Sequence, residues 1–154
     1  MTRINRARFD ELDVHRLYAM LRLRAEVFVV EQSCAFNDVD GRDVHPETVH
    51  YWIERPDTPD VRSSDAIVAM MRVLPDDDGR RKVSRVVTAP DARSAGLAGT
   101  LVERAIHDNP GVELVLDAQS RLVPWYSTFG FEVCGAPFDE DGIEHTPMRR
   151  RPRP

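Results

Sequence analysis

A strand that runs through a short turn of small residues into a helix, between residues 83 and 107, constrains the fold of this chain most. Residues 83–88 are rich in β-branched side chains, which favour a strand, and Pro90 with Asp91 then indicates a turn. A helix is predicted over residues 99–107, since its apolar residues recur on one face: Leu101, Val102, Ala105 and Ile106. Such a chain folds as an α/β or α+β domain.

The start of this predicted helix has the properties of an anion site. The first turn of a helix presents N–H groups without intrahelical partners and the positive end of the helix dipole. Gly96, Ala98 and Gly99 leave the backbone uncovered, so that a phosphate can approach it closely. Small residues at such a turn also serve packing alone, so a second motif is needed. A diphosphate is the ligand that fits such a turn.

A second strand followed by a helix lies downstream. Residues 112–116 are predicted to form a strand that leads to Gln119, and an aromatic segment follows at residues 122–131. Proline is tolerated only in the first turn of a helix. The helix that carries Tyr126 is therefore predicted to begin at or just before Pro124.

Together these motifs are similar to those of a known superfamily. Arg93, Gly96 and Ala98 resemble the Q/R-x-x-G-x-G/A pyrophosphate loop of the GNAT N-acetyltransferases. Gln119 and the Tyr126-x-x-x-Gly130-Phe131 segment are similar to the second half of that superfamily. Two positions depart from the common pattern of the superfamily. Ala98 stands in place of glycine and adds one methyl group, and Gln119 stands in place of asparagine and keeps the side-chain amide. Neither departure removes the chemistry of the motif.

Three further segments resemble the ElaA-like branch of GNAT more narrowly. They are residues 21–32, 38–41 and 140–145, so the likeness covers nearly the whole chain. The resemblance implies a central, mixed, mostly antiparallel, splayed sheet flanked by helices. We expect one GNAT-like domain over residues 1–154 with a frayed basic tail at 149–154. Dimers are frequent in the superfamily, so a homodimer is an open expectation.

The resemblance also implies acetyl-CoA as cosubstrate, with no metal. It places the pantetheine at a strand edge formed by Val86, Val87 and Thr88, where backbone groups bind it like an added strand. The diphosphate lies on the turn, and Arg93 adds a charge-assisted bond. The predicted cofactor-binding residues are Val86, Val87, Thr88, Arg93, Ser94, Ala95, Gly96, Leu97, Ala98, Gly99, Thr100 and Gln119.

Direct attack of an amine on the thioester needs no protein nucleophile, so the predicted catalytic roles are proton transfers. Tyr126 is predicted to protonate the leaving thiolate, although packing against its aromatic neighbours also explains its presence. The sequence does not single out a base. Glu31, at the end of the first helix, is the candidate in the segment that lines the acceptor side in the superfamily. The alternatives are His50, His145, Asp38, Asp40 and a water chain.

Composition excludes several classes of function. The net charge is −5 and Lys82 is the single lysine, which argues against nucleic-acid binding. No apolar stretch approaches the roughly 20 residues that span a bilayer, so a cytoplasmic protein without membrane contact is expected. Cys34 and Cys134 lie far apart and are predicted to be reduced thiols.

The acceptor is the least determined feature. Acidic residues such as Glu31, Asp38 and Asp40 predict a negative rim that attracts a protonated primary amine, either a small molecule or a peptide. A longer acyl group, a protein N-terminus or a lysine side chain fits the same residues. A CoA-binding module with little turnover is the alternative from another class.

The remaining elements follow from periodicity. A short strand is predicted over residues 6–9, and further strands over 49–53, 66–74 and 83–88. A long first helix begins after Asp13 and ends near Gln32. Its predicted core stripe is Val14, Tyr18, Leu21, Ala25 and Phe28. A last hairpin joins residues 131–138 to 143–149.

Overall fold

The structure, a computed structural model, describes residues 2–57 and 62–153. The strands in this part are β1 (Asn5–Arg8), β2 (Val49–Glu54), β3 (Ile67–Pro75), β4 (Arg81–Thr88), β5 (Leu114–Gln119), β6 (Glu132–Val133), β7 (Phe138–Glu140) and β8 (Ile143–Arg150). The helices are α1 (Val14–Arg24), which continues as a π-helical segment over Ala25–Glu31, α2 (Leu97–Asp108) and α3 (Val123–Ser127).

The strands form one mixed sheet in the order β1-β2-β3-β4-β5-β8-β6, and β7 also pairs with β8. Neighbouring strands are antiparallel, with the exception of β4 and β5, which run parallel. The predicted mixed, mostly antiparallel sheet is confirmed.

The parallel pair is short, and the sheet splays beyond it. Arg81 pairs with Leu114, and Lys82 pairs with Val115, after which β4 and β5 separate. On its other edge, β5 remains paired with β8 as far as Gln119. A V-shaped gap therefore opens in the middle of the sheet, with its vertex next to Lys82.

A bulge in β4 accompanies this gap. Between the pairs Arg72–Ser84 and Met70–Val87, β3 advances by two residues and β4 by three. Arg85 lies in this step with a positive φ of 54°. A bulge of this kind bends a strand and increases its twist. The bend directs the second half of β4 away from β5.

Two hydrophobic layers cover the sheet. Leu101, Val102 and Ala105 of α2 pack on one face, as predicted, together with Leu114, Leu116, Tyr126 and Met148. The other face carries Ala19, Met20, Leu23 and Val27 of the first helix, packed on Trp52, Met70 and Val87. The gap between β4 and β5 passes between these layers.

The predicted core stripe of the first helix is wrong. Val14 and Tyr18 are 73% and 66% exposed, Ala25 is also exposed, and Leu21 and Phe28 are only half-buried. The helix has apolar residues on two faces, so its period alone does not determine which face is buried. The predicted N-cap is confirmed, because the Asp13 side chain accepts a hydrogen bond from the backbone of Arg16.

Two predicted boundaries also change. The strand predicted over residues 112–116 starts and ends later, so Asp117 and Gln119 lie on β5 rather than after it. Arg149 and Arg150 belong to β8 and not to a frayed tail. Arg149 pairs with Glu132 at 3.2 Å, which gives the basic run a place on the sheet. In the first arm of the predicted last hairpin, only β6 and β7 are strands.

Across residues 2–57 and 62–153, no helix combines the length and hydropathy needed to cross a membrane. Cys34 is buried and Cys134 exposed, and both are free thiols.

Candidate active site

The gap between β4 and β5 opens into a cleft of about 1250 Å³. Its walls come from both strands, the β4–α2 turn, α3, the end of the first helix, the loop that follows it, and the β7–β8 turn. Both predicted catalytic residues, Tyr126 and Glu31, line the cleft, as do all predicted cofactor-binding residues except Ala95. The structure thus brings together residues that lie more than 80 positions apart in the sequence.

The amino end of α2 forms one end of the cleft. Gly96 is its N-cap residue, in the left-handed conformation with φ of 74°, and no side chain caps the helix. The first helical bond runs from the N–H of Thr100 to the carbonyl of Gly96 at 3.1 Å. The N–H groups of the first turn, Leu97, Ala98 and Gly99, therefore have no intrahelical acceptor. They are available to an anion.

Two glycines of this turn have different roles. A Cβ atom added at Gly96 meets nothing within 4 Å, so this position is open to the cleft and glycine is required by its positive φ. A Cβ at Gly99 would lie 3.2 Å from Cζ of Phe129, so glycine there permits α2 to pack against α3. The sequence predicts an uncovered backbone along the whole turn. Of these two glycines, only Gly96 leaves the backbone uncovered toward the cleft.

The edge of β4 contributes backbone groups to the cleft. In an antiparallel pair, successive residues point their N–H and C=O groups alternately toward and away from the partner. The N–H of Ala89 donates to the carbonyl of Val68 in β3 at 2.7 Å. Alternation therefore directs the backbone groups of Val87 toward β3 and those of Thr88 toward the cleft.

Arg93 and Glu31 join the two sides of the cleft mouth. Arg93 Nη1 and Nη2 donate to the two carboxylate oxygens of Glu31 at 2.6 and 2.7 Å, and both side chains are about 40% exposed. Hydrogen bonding to Arg93 lowers the pKa of Glu31. The predicted base and the predicted diphosphate ligand are thus bound to each other.

Gln119 bridges the mouth at the end of β5. Its Nε2 donates to Gln32 Oε1 at 3.1 Å, and its Oε1 accepts from Arg121 at 2.9 Å. Through these contacts and the Arg93–Glu31 pair, the end of the first helix is bonded to both sides of the V.

Tyr126 lies on α3 with its ring buried and its side chain on the cleft wall. The ring packs edge-on against Trp125 and Phe131, at centroid distances of 4.8 and 6.0 Å. Its hydroxyl makes no hydrogen bond with any residue that the structure describes. Burial raises the pKa of Tyr126 to about 12, so the phenol remains protonated at neutral pH.

The other end of the cleft contains a network of three arginines and three aspartates. Arg24 and Arg72 are almost fully buried, and both donate to Asp43 Oδ1, at 2.7 and 3.0 Å. Arg24 also binds Asp38, at 2.8 Å, and Arg72 binds Asp40, at 2.6 Å. Burial alone raises the pKa of Asp40, but hydrogen bonding to Arg72 and the charge of Arg85 hold that pKa well below its usual range.

Comparison with known proteins decides the family. The Acetyltransferase (GNAT) domain model matches residues 54–152. The chain belongs to the GNAT acetyltransferase family. It is 34% identical to the protein ElaA of Escherichia coli, over 92% of this chain and 91% of ElaA. The similarity places it on the ElaA-like branch.

Solved structures agree with this GNAT assignment. An acyl-CoA N-acyltransferase from Pseudomonas aeruginosa superposes with a TM-score of 0.87 at 33% identity, covering 97% of this chain and 99% of that one. The crystal structure of E. coli ElaA gives a TM-score of 0.85 at 31% identity, covering 98% and 100%. The splayed sheet is therefore the GNAT fold, for which acyl-CoA-dependent acyl transfer is the general chemistry.

Three of the carboxylates expected to form a negative rim in this GNAT domain are neutralised. Asp38 and Asp40 are ion-paired with arginines, and Glu31 is paired with Arg93. These three carboxylates do not present a free negative surface to a protonated amine, because arginines from other elements of the chain bind them. Glu140 and Asp141 of the β7–β8 hairpin also line the cleft.

Several residues that line the cleft near the vertex of the V were not identified from the sequence. Arg72 and Arg85 line the cleft, as do Lys82 and Asp117, whose side chains form an ion pair of 2.7 Å at the vertex of the V. Lys82, the single lysine of the sequence, precedes the strand predicted over residues 83–88 and could have been identified as a site residue on that ground. The orientation of Arg85 depends on the bulge, for which the sequence gives no signal.

We expect the ion network to make folding acid-sensitive. The pKa of Asp40 is lower in the folded protein than the ordinary value of 3.8, so its contribution is present above that value and is lost as the pH falls below it. The free energy of unfolding should remain level down to about pH 5 and then fall steadily. Urea unfolding at a series of pH values measures this. In Asp40→Asn the free energy of unfolding should fall less steeply with decreasing pH. An unchanged fall would contradict the contribution assigned to Asp40.

Proposed function

We propose that this GNAT domain transfers an acetyl group from acetyl-CoA to a primary amine. One observation carries the proposal: a single cleft holds the uncapped amino end of α2 at one end and, on its wall, the side chain of Tyr126, whose hydroxyl is unpaired among the described residues. The first binds a diphosphate and the second serves a leaving thiolate. Both lie along the gap between β4 and β5.

The chain's own groups fit the proposed cosubstrate. The first-turn N–H groups of α2 and the open space at Gly96 accept a diphosphate without a bulky side chain in the way. The backbone of Thr88 faces the cleft and supports an amide-bearing chain in the manner of an added strand. The proposed cofactor-binding residues are those predicted at 86–88 and 93–100, with Gln119 at the end of β5. Of these, Val87 directs its backbone groups toward β3, and Ala95 does not line the cleft. The contribution of Thr88 is the best supported of the strand residues.

The thiols of the chain support direct transfer without an acyl-enzyme. Burial and the neighbouring carboxylates of the β7–β8 turn raise the pKa of Cys34, whose Sγ lies 3.1 Å from the carbonyl oxygen of Asp141. Thiols of this kind are weak nucleophiles. Cys134 does not line the cleft. In the proposed step the amine nitrogen bonds to the thioester carbon, and the carbon–sulfur bond breaks with its electron pair leaving on sulfur.

Tyr126 is proposed to hold a proton beside that sulfur. A phenol with a pKa of about 12 is protonated and has a hydroxyl free to donate. A thiol with a pKa of about 8.5 is a stronger acid. Tyr126 therefore stabilises the developing thiolate mainly as a hydrogen-bond donor, and complete proton transfer to sulfur is uphill.

The role of Glu31 as the general base remains a prediction. The contacts of Glu31 argue against that role. A carboxylate that accepts two hydrogen bonds from Arg93, with a lowered pKa, takes up a proton poorly. We propose instead that Glu31 positions Arg93 at the cleft mouth. In this arrangement the carboxylate competes with a diphosphate for the same guanidinium.

Glu31→Gln tests this role. We expect acetyl-CoA to bind about two- to fivefold more tightly, because an exposed charge that repels the diphosphate is removed. Arg93→Gln, the matched change in the partner, should weaken binding. Isothermal titration calorimetry measures both. The parent pH profile of kcat/KM should persist in Glu31→Gln; a loss of turnover that shrinks at high pH would restore Glu31 as the base.

Acetyl-CoA consumption with a panel of amines, read by mass spectrometry, tests the function itself. Acetylated product from a primary amine supports the proposal. Tight acetyl-CoA binding without turnover on any amine would favour a CoA-binding module. Turnover with longer acyl-CoA donors in place of acetyl-CoA would correct the acyl group, and turnover on peptides alone would assign a protein acceptor.

A further inference from the structure

His145 lies on the β5 side of the cleft. It is placed on β8 directly opposite Gln119 of β5, and its half-buried side chain lines the cleft. Two residues earlier on β5, Asp117 lines the same cleft and pairs with Lys82 at the vertex of the V. His145 is thus on the strand that borders the β5 side of the gap.

The ring of His145 has a defined proton position. Nδ1 lies 2.8 Å from the carbonyl oxygen of Ile143. A carbonyl only accepts hydrogen bonds, so Nδ1 must carry the hydrogen and donate it. The neutral imidazole then has its lone pair on Nε2. Within residues 2–57 and 62–153, Nε2 has no hydrogen-bond partner.

A stacked neighbour holds the ring in this orientation. Phe138 of β7 pairs with His145 across the hairpin, and their rings stack at a centroid distance of 5.9 Å with an interplanar angle of 23°. The backbone bond and the stack fix the ring from two directions. A fixed ring on a cleft wall, with one ring nitrogen free to accept a hydrogen bond, has the geometry of a proton acceptor.

The other side chains predicted as candidates for the general base are already engaged in ion pairs or hydrogen bonds. Glu31 is bound to Arg93, and Asp40 to Arg72. Asp38 is paired with Arg24. His50 is only 1% exposed, does not line the cleft, and has its Nε2 3.0 Å from the carbonyl oxygen of Asp43. Burial lowers the pKa of His50.

We propose that His145 is the general base of this acyltransferase. As the amine nitrogen bonds to the thioester carbon, its proton passes to Nε2 of His145, and the sulfur leaves with the electron pair of the broken bond toward the hydroxyl of Tyr126. The inference rests on the proposed acetyl transfer. The charged and titratable groups on the surrounding elements are Glu31, Cys34, Lys82, Asp117, Arg121, Asp139, Glu140, Asp141 and Glu144.

His145→Asn is the sharpest variant. The asparagine amide can still donate to the carbonyl of Ile143, so the local structure is kept while the Nε2 acceptor is lost. We expect kcat to fall by at least roughly 10²-fold at neutral pH, with acetyl-CoA affinity unchanged in calorimetry. We expect kcat/KM of the parent to fall at acid pH and this fall to be absent in the variant, and added imidazole should restore part of the rate. His15→Asn, an exposed position outside the cleft, is the control.

Several outcomes overturn the assignment. Parental kcat in His145→Asn does so, as does a lower kcat that keeps the acid limb and is not rescued by imidazole. Should the variant fail to fold in a thermal melt, the parent alone still tests the idea, because a kcat/KM without any acid limb excludes a histidine base. Failure of the parent to bind acetyl-CoA or acetylate any amine would instead refute the proposed function.

Discussion

We expect Gly96→Glu to abolish acetyl-CoA binding to this protein. The new side chain starts where a Cβ meets nothing within 4 Å, so its carboxylate enters the open cleft at the amino end of α2. There it takes the free N–H groups of the first turn and repels the diphosphate. Isothermal titration calorimetry should show no binding at cofactor concentrations that saturate the parent.

Gly111→Glu is the matched control for this change. Gly111 has the same φ of 74°, an added Cβ there also meets nothing within 4 Å, and the residue lies outside the cleft. Both variants carry the same backbone strain and the same added charge. Only the variant at Gly96 should lose binding. Equal affinity in the two proteins would place the diphosphate elsewhere.

We expect Tyr126→Phe to lower turnover by roughly 10²- to 10⁴-fold while acetyl-CoA affinity changes little. The change removes one oxygen and leaves the ring contacts with Trp125 and Phe131 in place. That oxygen makes no hydrogen bond inside the described structure, so its removal leaves no unpaired group behind. Steady-state kinetics and calorimetry on the same preparation separate turnover from binding.

Tyr51→Phe controls for the loss of a buried phenol. The pKa of Tyr51 is also raised to about 12, mainly by burial, but its hydroxyl donates to Asp108 and lies outside the cleft. We expect this variant to lose thermal stability and keep its kcat. Full activity of Tyr126→Phe would reduce Tyr126 to a packing residue.

The sequence predicts the parts of the fold that depend on local pattern. The antiparallel strands before the turn, the buried face of α2 and the start of α3 at Val123 all follow from short-range periodicity and turn residues. The first helix shows the limit of this reasoning. Its two apolar faces are equivalent until Trp52 and Met70 bury one of them.

The features of the site that the sequence does not predict are contacts between residues distant in the chain. The predicted site residues, with the exception of Ala95, do line the cleft, because they lie in motifs. Their partners are not predicted, since the Arg93–Glu31 pair joins positions 62 residues apart. The same holds for His145, whose free nitrogen is defined only once β8 forms and Ile143 provides its carbonyl.

The extra residue in β4 links the two halves of the cleft mechanically. The bulge that turns the strand away from β5 also directs Arg85 to Asp38 and Asp40, at 2.7 and 3.5 Å. The loop that carries Asp38 and Asp40 is therefore tied to the strand proposed to hold the donor. Grafting a different loop onto this scaffold would change the shape of that strand, so the loop and the strand have to be redesigned together.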